Sequence, residues 1–184
     1  MNGSVCSKWT FSNSSVWTTL KEMGTHSRFI PPQTPMNSQA QPAWAAQGIE
    51  ARRVLLREMI VRIKPHMAEL TTLLTQEQGK PLAMAEGEIK SLLRFMKGLC
   101  EQSLPESVNE DSPVRRSVTR RVPLGVVAAL SPWNFPALLS WWKVVPALLT
   151  GNTVVLKPSP LTPLTVLCIA EWMADLFPAG VLNV

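Results

Sequence analysis

Residues 122–142 constrain this 184-residue chain more than any other feature, because they contain no charged residue and are numerous enough to suggest a membrane span. The prolines exclude that. Pro123, Pro132 and Pro136 break any single helix, Asn134 lies in the middle, and Gly125 with Pro132 divides the run into a strand, a turn and a helix start. An uncharged run of this kind is what a parallel strand buried on both faces looks like. Residues 122–130 therefore predict a buried strand and 136–150 a helix. Residues 152–156 predict a second buried strand, 163–177 a helix and 181–184 the start of a third strand. This rhythm describes a right-handed parallel crossover unit, half of a doubly wound sheet.

Upstream, Leu55, Met59, Ile63, Met67, Leu70 and Leu74 recur at spacings of three and four, the mark of an amphipathic helical face, which Pro65 divides. Gly79 and Pro81 mark a stop and a restart. A further helix is expected over 81–102, with Ala83, Ile89, Leu92, Leu93 and Met96 inward. Residues 105–113 read as a polar, proline-containing link and 115–119 as a weak edge strand. The expected class is α/β: N-terminal helices followed by part of a doubly wound parallel sheet, Rossmann-like and incomplete. Residues 1–41 are expected to be disordered or an atypical N-terminus. Residues 42–184 form one partial domain, with helices over 43–102 and a βαβαβ unit over 115–184. A third strand without an outer neighbour leaves unpaired backbone groups, so the chain is expected to fold poorly alone.

A net charge of +5 would invite a nucleic-acid partner if the basic residues were grouped. They are scattered along one helix (Arg52, Arg53, Arg57, Arg62, Lys64) and in a short strand-like stretch without aromatics (Arg115, Arg116, Arg120, Arg121), so neither nucleic acid nor membrane is expected as a partner. The three cysteines, Cys6, Cys100 and Cys168, are widely spaced without a C-x-x-C pair. They suggest neither a disulfide framework nor a metal site. The N-terminal stretch lacks the apolar centre of a secretory signal. A cytoplasmic location is expected, with mitochondrial import left open.

Ligands of open α/β sheets bind beyond the carboxyl ends of the strands. Two segments fall there: Leu130-Ser131-Pro132-Trp133-Asn134-Phe135-Pro136 after the first strand, and Lys157-Pro158-Ser159-Pro160 after the second. The Asn134 amide offers two N–H donors without a proton to lose, which suits it to oxygen charge developing during carbonyl addition. A helix cap is its structural alternative. The Lys157 ammonium could donate to ribose or phosphate oxygens, or simply be solvated. No G-x-G-x-x-G follows either strand, so a nicotinamide cofactor would need another arrangement.

The motifs PLGVV, PWNFP, PALLTGNTVVLKPS, TPLTVL and PAGVLNV, in this order and spacing, resemble the aldehyde dehydrogenase superfamily. Glu77-Gln78-Gly79-Lys80-Pro81-Leu82, with Glu86 and Glu88, resembles its leading helical segment, and the similarity covers residues 42–184. The resemblance implies NAD(P)-dependent oxidation of an aldehyde to a carboxylic acid, with NAD or NADP as cofactor and homo-oligomers at full length. It implies that Asn134 donates to the oxyanion of a thiohemiacetal, that Leu130, Ser131, Pro132 and Trp133 line the cofactor channel, and that Lys157 holds the adenosine ribose in a pocket shaped by Pro158 and Ser159. Pro160 stands where NAD-preferring members often carry a glutamate, so the choice between NAD and NADP stays open. Neither Cys168 nor Glu171 matches the family's nucleophile or general base. The chain is therefore expected to be an inactive N-terminal portion of such an enzyme. The alternative is a short non-catalytic protein that pairs with a full-length relative.

Overall fold

A computed structural model of the protein describes residues 34–184. The expectation of disorder over 1–41 lies outside the described residues up to 33. Residues 34–41 are helical, part of α1, which spans Thr34–Ala46. Helix α2 (Gly48–Ile63) follows, then a 3-10 turn at Lys64–His66, α3 (Met67–Gln78) and α4 (Leu82–Leu99). Pro65 lacks the N–H that a continuous helix needs, and the tighter turn falls where the sequence places the break. Gly79 ends α3 in the left-handed region at φ 81°. Only glycine adopts that conformation without a Cβ penalty, and Pro81 then precedes α4.

The segment read as a link contains a strand. β1 (Ser107–Asp111) pairs antiparallel with β2 (Arg116–Thr119) in a two-stranded ribbon separate from the main sheet. All of β1 is exposed, so no apolar alternation could betray it. Ion pairs Arg115–Glu110 at 3.2 Å and Arg120–Glu106 at 2.6 Å accompany the backbone ladder. Residues 115–119 therefore belong to the ribbon, not to the parallel unit.

The main sheet is parallel in the order β3 (Val126–Leu130), β4 (Thr153–Lys157), β5 (Leu182–Asn183), with α5 (Pro136–Leu149) and α6 (Leu164–Trp172) as crossovers. Helix α6 is shorter than expected, because a run of turns leads from Met173 to Pro178. β4 fits its apolar sequence and is largely buried. β3 does not: of its residues only Ala129 is buried, and Val122 and Leu124 ahead of it are strongly exposed. The core lies between the helices and β4, around Leu56, Met59, Leu70, Leu92, Trp141 and Leu156. No helix among the described residues is long and apolar enough to cross a membrane.

The amino ends of the strands are closed by polar side chains. The buried Arg52 donates from Nε to the Leu149 carbonyl at 2.9 Å and from Nη1 to those of Trp44 and Ala45 at 3.2 and 2.8 Å. One guanidinium thus satisfies the C-terminal carbonyls of α1 and α5, where a cation is favoured by the helix dipole. Burial pulls its pKa down from the ordinary arginine value. Asn152 accepts from the Gly125 N–H at 3.0 Å and donates to the Ala147 carbonyl at 3.1 Å, tying β3 to the end of α5. Gly151, at φ 89°, leaves no room for a side chain: a Cβ there would lie 2.9 Å from Pro123 Cγ.

Candidate active site at the carboxyl ends of the strands

Leu130 and Lys157 are register partners at the last rung of the β3–β4 ladder. The Ser131 N–H donates to the Lys157 carbonyl at 3.0 Å, carrying the pairing one residue further. The two segments singled out in the sequence are therefore brought side by side. Lys143 donates to the Leu130 carbonyl from α5. The Lys157 side chain is exposed and forms no ion pair or hydrogen bond among the described residues. Its register partner Leu130 is 61% exposed, and Trp133 on the turn that follows is 55% exposed.

Pro132 is exposed with Trp133, whereas Ser131 is half-buried and its Oγ has no partner. Ser159 is buried and its Oγ accepts the Leu161 N–H at 3.2 Å, so it shapes the turn after β4. Pro158 is half-buried and Pro160 exposed at the rim.

Asn134 does not cap α5. The N-cap residue is Phe135, no side chain caps it, and the Asn134 carboxamide has no hydrogen-bond partner among the described residues. The helix's first turn is satisfied from elsewhere: Glu88, buried on α4, accepts the Leu138 N–H at 3.0 Å through one carboxylate oxygen. Its other oxygen lies 2.5 Å from the buried Lys80 Nζ. Lys80 also donates to the Asn134 backbone carbonyl at 3.0 Å and stands 4.4 Å over the Phe135 ring. Gln78 reaches the same carbonyl at 3.4 Å.

Helix α6 is treated likewise. Glu77 accepts the backbone N–H groups of Leu164 and Thr165 and, at 2.8 Å, the Thr165 hydroxyl. A carboxylate at a helix N-terminus meets both orphan donors and the positive end of the dipole. Burial nonetheless pushes the Glu77 pKa up, and the three Thr165 and Leu164 hydrogen bonds pull against it. Nothing local identifies these roles in the sequence, because the partners lie 50 to 88 residues away. The recurrence of two glutamates and a lysine around Gly79-Lys80-Pro81 is the one signal that could have pointed to them.

Neither described cysteine resembles an activated nucleophile. Cys100 is free and buried at the end of α4, where burial pushes its thiol pKa up and disfavours the thiolate. Cys168 is buried on α6. Among the described residues no group of three or more His, Cys, Asp or Glu side chains could hold a metal.

The sequence pattern of the "Aldehyde dehydrogenase family" matches residues 35–184, the helices and the whole parallel sheet included. The chain belongs to the aldehyde dehydrogenase family. It is 38% identical over 151 residues to the succinate-semialdehyde dehydrogenase [NADP(+)] GabD of Escherichia coli (strain K12), covering 80% of this chain and 31% of that one. It is 41% identical over 152 residues to the phenylacetaldehyde dehydrogenase of Pseudomonas fluorescens, with 77% of this chain and 30% of the relative covered. The chain thus spans about a third of the length of the curated relatives it matches. Among solved structures, an NADP-dependent enzyme of E. coli superposes with a TM-score of 0.77 at 37% identity, over 81% of this chain and 32% of that one. These aldehyde dehydrogenase neighbours bear out the α/β class and the leading-helix arrangement.

Proposed function

We propose that this segment supplies the cofactor channel and the oxyanion donor of an NAD(P)-dependent aldehyde dehydrogenase that oxidises an aldehyde to a carboxylic acid. The observation that carries the proposal is the Asn134 carboxamide. It sits on the turn beyond the carboxyl end of β3, and no partner among the described residues occupies its donors. A neutral amide fixed on a rigid turn stabilises an oxyanion without reorganising as charge develops.

The neighbouring residues fit a dinucleotide. Lys157 is exposed with no ion pair or hydrogen bond among the described residues, Leu130 and Trp133 expose apolar surface at the same strand ends, and the Ser131 hydroxyl is unsatisfied. In this proposal Leu130, Ser131, Pro132 and Trp133 wall the channel, and Lys157 donates to ribose hydroxyls in a pocket bounded by Pro158, Ser159 and Pro160. Bound there, NAD or NADP supplies the hydride acceptor. Pro160 brings no carboxylate to the ribose, so either cofactor is compatible with the pocket.

Among the described residues Cys100 and Cys168 are both buried, and neither is proposed as the nucleophile; the chain by itself is proposed to be inactive. The complete enzyme is proposed to act as a homo-oligomer on an aldehyde substrate, in the cytoplasm or the mitochondrion. In that enzyme Asn134→Ala should lower kcat by about 100-fold or more while changing the cofactor Kd by less than about twofold. Steady-state kinetics with a cofactor titration separate the two, and parallel losses in both would overturn the oxyanion assignment.

A further inference from the structure

The turn that presents Asn134 is gripped from behind by an ion pair to which the proposed chemistry gives no task. We infer that Lys80 and Glu88 are positioning residues, which aim the Asn134 carboxamide by fixing the backbone at Asn134 itself and at the head of the helix that follows it. The inference rests on the oxyanion role proposed for Asn134.

Lys80 Nζ has two polar partners and an aromatic face: Glu88 at 2.5 Å, the Asn134 carbonyl at 3.0 Å and the Phe135 ring at 4.4 Å. The second Glu88 oxygen accepts the Leu138 N–H at 3.0 Å. A single ammonium–carboxylate pair therefore holds the main chain at Asn134 and again four residues later, in the first turn of α5. Between them the backbone cannot swing without stripping a buried charge of its partner.

Among the described residues the carboxamide itself has no hydrogen bond to orient it, so its direction is inherited from that backbone. Misplacing a reacting group by about 1 Å can cost about 100-fold in rate. A buried ion pair is also poor value as plain stabilisation, since desolvation offsets most of its attraction. Its place here is explained by geometry. Lys80 is only 7% exposed and its ammonium is already engaged, so it acts through Asn134 and not on a substrate.

The test is a double-mutant cycle in the complete enzyme, with Lys80→Met and Asn134→Ala alone and together. Lys80→Met should lower kcat about tenfold or more with the cofactor Kd unchanged, and should lower it less than about twofold further once Asn134→Ala is present. Should Lys80→Met fail to fold because Glu88 is left unpaired, Lys80→Met with Glu88→Gln removes the charges together while the amide oxygen still receives the Leu138 N–H. The same cycle is then run with that pair. Equal losses in both backgrounds, or a fall in cofactor affinity parallel to kcat, would overturn the inference while leaving the oxyanion role intact. Unchanged turnover in Asn134→Ala alone would instead remove the oxyanion role, and the inference with it.

Discussion

The two ends of the parallel strands are finished in opposite ways. At the amino end, Arg52, Asn152 and Trp44 hand their donors to backbone carbonyls, and Gly151 lets three segments close over the gap. At the carboxyl end, Asn134 and Lys157 keep their donors unpaired among the described residues, and Leu130 and Trp133 stay exposed. A fold must satisfy the polar groups it buries, but those it leaves at a rim can be reserved for a ligand. The contrast predicts that substitutions at the two ends divide between stability and function.

Arg52→Ala should have the largest effect on stability. It strips the carbonyls of Leu149, Trp44 and Ala45 of their donor at once and should cost about 3 kcal/mol or more, seen as a lower urea midpoint. A loss of only a few tenths would mean that water replaces the guanidinium and that the amino end is not closed. Gly151→Ala should cost about 1–3 kcal/mol, because it forces a Cβ both into a positive φ and against Pro123. Asn134→Ala and Lys157→Met should each stay within about 0.5 kcal/mol of the parent in the same assay. A larger loss from either would show that the carboxyl end is structural too, and the comparison would collapse.

The sequence discloses the parallel unit because its signals are local. Apolar runs, Pro136 at a helix start and Pro65 at a break each act within a few residues. It conceals β1, whose Ser-Val-Asn-Glu-Asp is held by backbone pairing and surface charge with no face to bury. It overstates the burial of β3, since an apolar strand looks the same whether or not both its faces are covered. At the site, residue type was enough to nominate Asn134 and Lys157. Local sequence could not decide between a cap and a free donor at Asn134, because the residue that replaces it at the head of α5, Glu88, arrives from another helix.

Helix α1 also bears on how the chain reaches this state. Asn37, fully buried, donates to the Val154 carbonyl at 3.1 Å, accepts from the Thr153 hydroxyl at 3.0 Å through its own carbonyl, and accepts from Asn183 at 2.6 Å. On the same helix Trp44 meets Phe177 edge to face at 5.8 Å. All of these partners lie more than a hundred residues later in the chain, and such remote contacts form slowly. During synthesis this helix, made well before the strands it serves, is thus among the last to dock. Until β4 and β5 leave the ribosome, an indole and an amide destined for the interior stand in water, a natural handhold for a chaperone.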